Sequence, residues 1–404
     1  MARAALTGIR AAKRTEGIVY AVRDIVALAQ EVARTGREML YLNIGDPNKF
    51  DFETPPHLIE AVHKAMLDNH NSYSPSSGIP TALQAIEGEA GRNGIRSILD
   101  IFVTSGGSEA IEVCLTALAD PGENVLIPYP GYPLYEAVLA KLGVQPKPYY
   151  LDEENGWQPD IEDIRRKIDP KTRAIVLINP NNPTGAIFSE KVLRSILSLA
   201  RSRGLVVFSD EIYDKMILDG RRHVSTASLD PEAPVVTFNG LSKSFLAPGW
   251  RMGWGIVSGR SADLKGYLAA INKILRARLC ACHPMQHAIA PALEGQKAYL
   301  DHVREKLRRR RDVTFQMLNA PGISTVKPEA AFYAFPKLDI ACSDEDFVKA
   351  LIRETGVVTV HGSGFGEKPR AKHLRVVFLP PEEKLRKAYS ALLEFLKKHR
   401  RQTT

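Results

Sequence analysis

The chain has 404 residues, of which 44% are hydrophobic and 25% charged, with a formal net charge of +8. This length exceeds one ordinary domain and suits two, and the composition is typical of a water-soluble globular protein with a sizeable core. No apolar run reaches the length of a membrane-spanning helix. The positive charge suits an anionic ligand or is a surface excess.

Apolar strand patterns alternate with helical patterns through the middle of the chain. The strand patterns are apolar on both faces, as expected for buried parallel strands covered by helices. We therefore predict an α/β fold with a mostly parallel central sheet. The predicted strands are 101–104, 124–128, 173–179, 205–210 and 235–239, and the predicted helices are 108–119 and 189–203.

The pattern changes after about residue 295. A long charged helix is predicted at 297–318, a second helix at 344–354, and strands near 332–335, 357–360 and 374–378. This order predicts a smaller α+β domain. We expect an N-terminal arm at 1–18, a small domain formed by 19–52 and 293–404, and a large ligand-binding domain at 53–292.

A basic run and the four cysteines indicate which partners and which cellular compartment to expect for this protein. The basic run from Arg308 to Arg311 is predicted to be a solvated helix face rather than a nucleic-acid site, because no aromatic residues interleave with it. The four cysteines fit neither a metal knuckle nor a disulfide framework. We therefore expect buried free thiols and a cytoplasmic protein without nucleic-acid or membrane partners.

Several predicted strands end in polar residues, and ligands of open α/β sheets bind beyond the carboxyl ends of the strands. After the first strand, Gly107 and Ser108 open a helix whose free N–H groups suit a phosphate, although a plain strand-helix turn has the same pattern. Asn182 lies between two prolines on a loop that can hold its amide as a donor, although a structural turn has the same pattern. Asp210 directly follows a buried strand and needs a cationic partner, an ion pair or a helix N-cap, with Tyr213 one turn further on.

Lys243 follows the predicted strand at 235–239 and is the most informative residue. A lysine at the mouth of such a sheet can lose its proton and carry an aldehyde cofactor as a Schiff base. Ser242 adds a hydroxyl, and Arg251 is a guanidinium that can bind a phosphate. Tyr132 can stack on a planar heterocycle or pack in the core. These groups together match pyridoxal 5'-phosphate, and no residue spacing resembles a metal motif.

Five long strings make the chain resemble the fold-type-I, class I and II family of pyridoxal-phosphate-dependent aminotransferases, with the nearest likeness to alanine aminotransferases of archaea and bacteria. The resemblance extends from Tyr20 to the C-terminus. The strings are LNIGDP (42–47), GWQPD (156–160), INPNNPTG (178–185), SDEIYD (209–214) and NGLSK (239–243).

The resemblance implies a role for each cofactor-binding residue. Lys243 would bind the cofactor and shuttle a proton, Asp210 would keep the pyridine nitrogen protonated, and Tyr132 would stack on the ring. Asn182 and Tyr213 would hydrogen-bond the ring oxygen. The phosphate would be held by Gly107, Ser108, Ser242, Arg251 and, from a neighbouring subunit of a homodimer, Tyr73.

The resemblance also implies the substrates, a small amino acid and a 2-oxo acid. Arg375 would pair with the substrate α-carboxylate, and Gly45 would lie over the substrate. Tyr20 and Arg23 match the Tyr-x-x-Arg pattern of alanine aminotransferases, with Arg23 for the distal carboxylate of 2-oxoglutarate. We expect alanine transamination by a ping-pong mechanism in amino-acid metabolism. The alternatives are an aspartate, aromatic or broad-specificity aminotransferase, a lyase using the same cofactor, or a cofactor-binding regulator.

Overall fold

A computed structural model describes residues 9–18, 21–295 and 298–399, with the side chains of 21–24 outside the description. The helices are α1 (Ala21–Ala33), α2 (Pro56–Leu67), α3 (Pro80–Arg92), α4 (Gly107–Leu118), α5 (Leu134–Leu142), α6 (Ile161–Lys167), α7 (Glu190–Arg203), α8 (Ser261–Ala277), α9 (His283–Gln286), α10 (Ile289–Glu294), α11 (Ala298–Met317), α12 (Asp344–Thr355) and α13 (Glu382–His399). Among these residues, no helix combines the length and the apolar character needed to cross a membrane.

Within the described residues, the strands belong to one large sheet and three small ones. They are β1 (Leu40–Tyr41), β2 (Ile98–Thr104), β3 (Asn124–Tyr129), β4 (Gln145–Asp152), β5 (Gln158–Pro159), β6 (Thr172–Ile178), β7 (Val206–Asp210), β8 (Val235–Gly240), β9 (Gly253–Ser258), β10 (Ile323–Ser324), β11 (Tyr333–Ala334), β12 (Lys337–Leu338), β13 (Val357–Val358), β14 (Val360–His361) and β15 (Leu374–Val377).

The large sheet has eight strands in the order β2-β9-β8-β7-β6-β3-β4-β5. Its central pairings, from β8 through β7, β6 and β3 to β4, are parallel, whereas β9 is antiparallel to both β2 and β8. The predicted α/β fold is therefore confirmed, with β4 and β9 as strands that the apolar pattern missed. The glycines of β9 interrupt its apolar pattern, so the sequence did not predict this strand. Gly255 is required there, because a Cβ at this position would overlap the Phe102 ring on the neighbouring strand.

Successive residues of the central strands pack into two different cores. Along β6, Ile175 and Leu177 belong to one apolar cluster, and Val176 and Ile178 belong to another on the opposite face. Helices cover both faces, so both sets of side chains are buried, and this explains why the strand sequences are continuously apolar.

A third core gathers the beginning and the end of the chain. It includes Ile25 and Leu42 together with Phe347 and Leu392, and it extends to Tyr213 beside the large sheet. The boundaries near residues 53 and 292 stay a prediction. The strand predicted at 357–360 is instead two short strands, because β13 pairs with β1 in parallel and β14 pairs with β15 in antiparallel fashion.

The prediction for the basic run was wrong for half of its residues. Arg308 and Arg309 are exposed, but Arg310 and Arg311 have relative exposures of 4% and 0%. Both point into the core from α11, where their charges find carboxylate partners on distant segments. A run of four like charges on a helix need not share one face, since 3.6 residues make a turn.

The cysteine prediction was right about free thiols and wrong about their burial. All four are free, but only Cys114 is buried, whereas Cys280 is half-buried and Cys282 and Cys342 are exposed. Composition alone does not distinguish these environments, because burial depends on which helices cover each residue.

Candidate active site

The polar strand ends converge on one cavity of about 250 Å³. Lining it are eleven of the residues predicted from the sequence: Gly45, Gly107, Ser108, Tyr132, Asn182, Asp210, Tyr213, Ser242, Lys243, Arg251 and Arg375. Three predicted residues are not among these eleven: Tyr73, Tyr20 and Arg23. Tyr73 is 81% exposed and lies outside this lining. Tyr20 lies outside the described residues, and Arg23 belongs to α1 with its side chain outside the description.

Lys243 reaches into the cavity from the turn after β8. Its Nζ donates a hydrogen bond to the carbonyl oxygen of Gly45 at 2.9 Å and lies 5.7 Å from the centre of the Phe332 ring. Burial lowers the pKa of Lys243 to about 8, and the positive charge of Arg375 adds to this effect against the opposing charge of Asp46. A substantial fraction of the amine is therefore neutral, and so nucleophilic, at mildly alkaline pH.

Asp210 is the last residue of β7 and is buried at the floor of the cavity. One oxygen accepts from the backbone N–H of Ile212 at 3.3 Å, and the other accepts from the Tyr135 hydroxyl at 3.4 Å. Both are long hydrogen bonds, and burial raises the pKa of Asp210 to about 6. A carboxyl group in this environment can bind a cationic N–H of a ligand, which would lower its pKa again.

An anion-binding cradle lies at the N-terminus of α4. The guanidinium of Arg251 donates to Ser108 Oγ at 3.0 Å and to the carbonyl oxygen of Pro248 at 2.9 Å. Gly106 precedes the helix with a φ of +85°, and a Cβ there would overlap the Arg251 guanidinium. Helix N–H groups, a hydroxyl and a guanidinium thus converge as a phosphate requires.

Asn182 presents an amide to the cavity from the loop after β6. Its Oδ1 is buried and has no hydrogen-bond partner within the described residues. Buried amide groups are normally paired, so this atom indicates that a polar group of a ligand belongs beside it.

Arg375 brings a third cation to the cavity, after Lys243 and Arg251, from β15, more than a hundred residues after Lys243. Its guanidinium is buried between aromatic rings, 4.8 Å from the centre of Tyr333 and 4.6 Å from that of Phe365, and it donates to the carbonyl oxygen of Asn43. A buried guanidinium in this position can bind a carboxylate.

Tyr333 also lines the cavity, although the sequence pattern predicted only a strand at 332–335. Its hydroxyl is 3.0 Å from that of Tyr213, and a Cβ at Gly45 would overlap it. The predicted place of Gly45 over the cavity thus has a steric reason. A hydroxyl on an otherwise apolar buried strand is the only local signal that could have indicated this residue.

Glu211 forms a second network directly behind the cavity. One oxygen accepts from Ser209, Ser225 and the backbone of Thr226 at 2.8 to 3.1 Å, and the other lies 2.9 Å from His223 Nε2. Burial alone would lower the pKa of His223, but the Glu211 carboxylate raises it overall. This paired carboxylate anchors the segment that carries Asp210 and Tyr213.

The fold and this cavity define a fold-type-I transferase. The family profile "Aminotransferase class I and II" matches residues 37–392. The chain belongs to this aminotransferase family, which confirms the resemblance found in the sequence and makes the protein an aminotransferase.

Relatives of known name span nearly the whole chain. It is 38% identical to the glutamate-pyruvate aminotransferase AlaA of Haemophilus influenzae, over 96% of this chain and 98% of that one. The alanine aminotransferase of Mycobacterium tuberculosis is also 38% identical, over 96% and 92%. The structure of an alanine aminotransferase from Pyrococcus furiosus superposes with a TM-score of 0.93 at 43% identity, covering 96% of this chain and all of that one.

Proposed function

We propose that the protein catalyses the reversible conversion of L-alanine and 2-oxoglutarate to pyruvate and L-glutamate, with pyridoxal 5'-phosphate as cofactor. The observation that carries the proposal is the placement of Lys243, Asp210 and the anion cradle of Ser108 and Arg251 around one cavity. Support for the substrates comes from relatives named for alanine and for glutamate and pyruvate at 35–38% identity.

The residues of the cavity fit the proposed cofactor. Asn182 has a buried oxygen that needs a partner, Asp210 has a raised pKa that a pyridinium would reverse, and the space beside Gly106 admits no side chain. The phosphate would be held by Gly107, Ser108, Ser242 and Arg251, and the ring by Tyr132, Asn182, Asp210 and Tyr213. When bound, the cofactor supplies an aldehyde for covalent attachment and a ring that withdraws electrons from the substrate Cα.

Lys243 has the properties of the base that moves a proton at the substrate Cα. With a pKa of about 8, its Nζ can accept a proton from carbon-bound hydrogen and return it later in the cycle. The hydrogen bond to Gly45 at 2.9 Å orients the amine toward the cavity. Asp210 would hold a positive charge on the cofactor nitrogen throughout.

Two arginines would select the substrates. Arg375 would bind the α-carboxylate that every amino acid and 2-oxo acid carries, because its buried guanidinium points into the cavity beside Gly45. Arg23, with Tyr20, would bind the distal carboxylate that distinguishes 2-oxoglutarate and glutamate from alanine and pyruvate. A second arginine makes one site usable for both substrates of a ping-pong cycle.

We further propose a cytoplasmic homodimer in which Tyr73 reaches the cofactor phosphate of the neighbouring subunit. Tyr73 is 81% exposed and lies outside the lining of the cavity in its own chain, as expected of a residue that serves a partner. Four free cysteines suit a reducing compartment.

The two half-reactions test the function separately. L-Alanine alone should remove the absorbance band of the lysine-bound cofactor in the purified holoenzyme and release pyruvate, and 2-oxoglutarate should restore the band. Release of ammonia without a keto acid would instead indicate a lyase, and no spectral change with any amino acid would leave a binding protein.

Donor specificity has its own test, since the chain is also 32% identical to an aromatic-amino-acid aminotransferase of Thermococcus litoralis over 93% of its length. Aspartate and tyrosine should turn over more slowly than alanine. For the distal carboxylate, Arg23→Ala should weaken 2-oxoglutarate much more than pyruvate, and equal effects on both would contradict that role.

A further inference from the structure

Three histidines cluster outside the active site. His70 lies in the turn after α2, His283 opens α9, and His287 directly follows α9. Each offers a ring nitrogen, and these nitrogens all lie within 4.8 Å of one another. No sequence motif joins these residues, because His283 and His287 are more than two hundred positions from His70.

The rings are close enough to share one metal ion. The ring centre of His287 lies 4.4 Å from that of His70 and 5.6 Å from that of His283, and the latter two are also 5.6 Å apart. Tetrahedral coordination with Zn–N bonds of about 2.0–2.1 Å places ligand nitrogens about 3.3 Å apart. Rotation of the His70 and His287 rings about their broad terminal torsions can supply the remaining approach.

Hydrogen bonding leaves metal-binding nitrogens available. His283 Nδ1 lies 2.9 Å from the carbonyl oxygen of Ser72, which fixes its ring and leaves Nε2 as the ligand atom, as a backbone carbonyl does for many metal-bound histidines. His287 Nε2 is buried and has no hydrogen-bond partner within the described residues. A buried nitrogen without a partner needs an explanation, and a metal ion provides one.

The electrostatic surroundings also suit a cation. The Asp68 carboxylate interacts electrostatically with both His70 and His287 and pairs with Lys64 at 2.6 Å. Its negative charge partly offsets that of a bound ion.

We propose that His70, His283 and His287 form a binding site for a divalent transition-metal ion of the Zn²⁺ class, with water in the fourth position. Imidazole nitrogens are ligands that zinc, nickel and copper prefer. Such an ion would tie the turn after α2 to α9. Tyr73 follows His70 by three residues, so the ion would also order the segment that carries this exposed tyrosine.

Metal titration of the holoenzyme tests this site. After treatment with a chelator and its removal, the protein should bind one Zn²⁺ per chain by calorimetry, and Co²⁺ should give visible bands between those of the cofactor and the near infrared. His283→Asn and His287→Asn should each weaken binding by at least the roughly 10–100-fold that even an outer-shell partner contributes. His63→Asn, an exposed histidine of α2, is the matched control and should bind as the wild type does.

Hydrogen exchange gives a readout that is independent of activity and of the proposed cofactor. Zn²⁺ should slow exchange across residues 68–74 in the wild type and leave it unchanged in His283→Asn. Cys282→Ser should bind Zn²⁺ normally, although this exposed thiol adjoins His283. Absence of binding by the wild type would overturn the proposal, as would equal binding by the double variant of His283 and His287.

Discussion

Two of the regions that hold buried charges, the strand-end cavity and α11, partner those charges in opposite ways. In the strand-end cavity, Lys243 contacts a carbonyl oxygen, and Asp210 accepts two long hydrogen bonds. On α11, Arg310 donates twice to the Asp51 carboxylate at 2.6 and 2.8 Å, and Arg311 donates twice to Asp219 at 2.6 and 2.7 Å.

The pKa values move in opposite directions in the two regions. In the cavity, burial lowers the pKa of Lys243 to about 8 and raises that of Asp210 to about 6, so both shifts favour the neutral form. For Asp51, burial acts to raise the pKa, but the hydrogen bond and charge of Arg310 lower it to about 2. The pKa values of the buried cavity groups thus shift in favour of the neutral form, because these groups have no close partner of opposite charge within the described residues. The pKa of Asp51, which is paired with Arg310, shifts in favour of the ionised form.

The largest expected effect is that of Lys243→Ala in the cavity. Transamination should fall by at least the roughly 10²–10⁴-fold that a positioned acid–base group contributes, because the amine both attaches the cofactor and moves the proton. The free energy of unfolding of the cofactor-free protein should stay unchanged or rise, since a buried amine is lost. Steady-state assays and thermal unfolding check this, with exposed Lys141→Ala as the control, and retained activity would contradict the assignment.

Asp210→Asn should lower the activity and raise the free energy of unfolding of the cofactor-free protein at alkaline pH. The folded pKa of Asp210 is raised from 3.8 to about 6, so its contribution to stability is fully present below pH 3.8 and is lost as the pH rises through 6. That difference corresponds to about 3 kcal/mol. The cofactor-free variant should therefore be more stable than the wild type at pH 8 by up to about 3 kcal/mol and equally stable near pH 4, while activity falls.

Denaturant unfolding across this pH range is the measurement for Asp210→Asn. The exposed Asp263→Asn serves as the matched control and should show no such pH dependence. A variant that is less stable than the wild type at pH 8 would show that Asp210 is structurally paired after all.

Arg311→Met should lower the free energy of unfolding and leave kcat and KM little changed, which is the reverse of the result expected for Asp210→Asn. Removal of one partner of a buried ion pair costs about 3–5 kcal/mol, and the 36% exposure of the Asp219 side chain should reduce this to about 2–3 kcal/mol. Arg309→Met is the matched control on the same helix, because its pair with Glu382 is exposed and should contribute less than about 1 kcal/mol. Equal destabilisation by both variants would contradict the comparison.

Tyr333→Phe should produce the smallest effect. It removes the hydroxyl that lies 3.0 Å from that of Tyr213 and keeps the ring that packs on Arg375. A hydrogen bond of this kind contributes about 0.5–1.5 kcal/mol, which corresponds to a change of a few-fold to about tenfold in kcat/KM for alanine. Kinetics with alanine and 2-oxoglutarate measure it, and a loss as large as that of Lys243→Ala would show that Tyr333 acts in the chemistry itself.

Local sequence determined the elements and the strand-end residues. The predicted strand at 235–239 is β8, and the predicted helix at 189–203 is α7, which begins after the N-cap Ser189. Parallel strands end at the same edge of a sheet, so Asn182, Asp210 and Lys243 meet there for reasons that each strand carries in its own sequence. The sequence strings around the same residues resemble those of aminotransferases, and this resemblance predicted the activity.

Tertiary structure decided whatever depends on partners far away in the chain. Arg310 and Arg311 are buried because Asp51 and Asp219 lie opposite them, and Tyr333 faces the cavity because β11 pairs with β15 beside Arg375. The three histidines meet only because α9 packs near the end of α2. A sequence pattern reports the periodicity of one segment, whereas the burial and pairing of a charge are set by the segment that covers it.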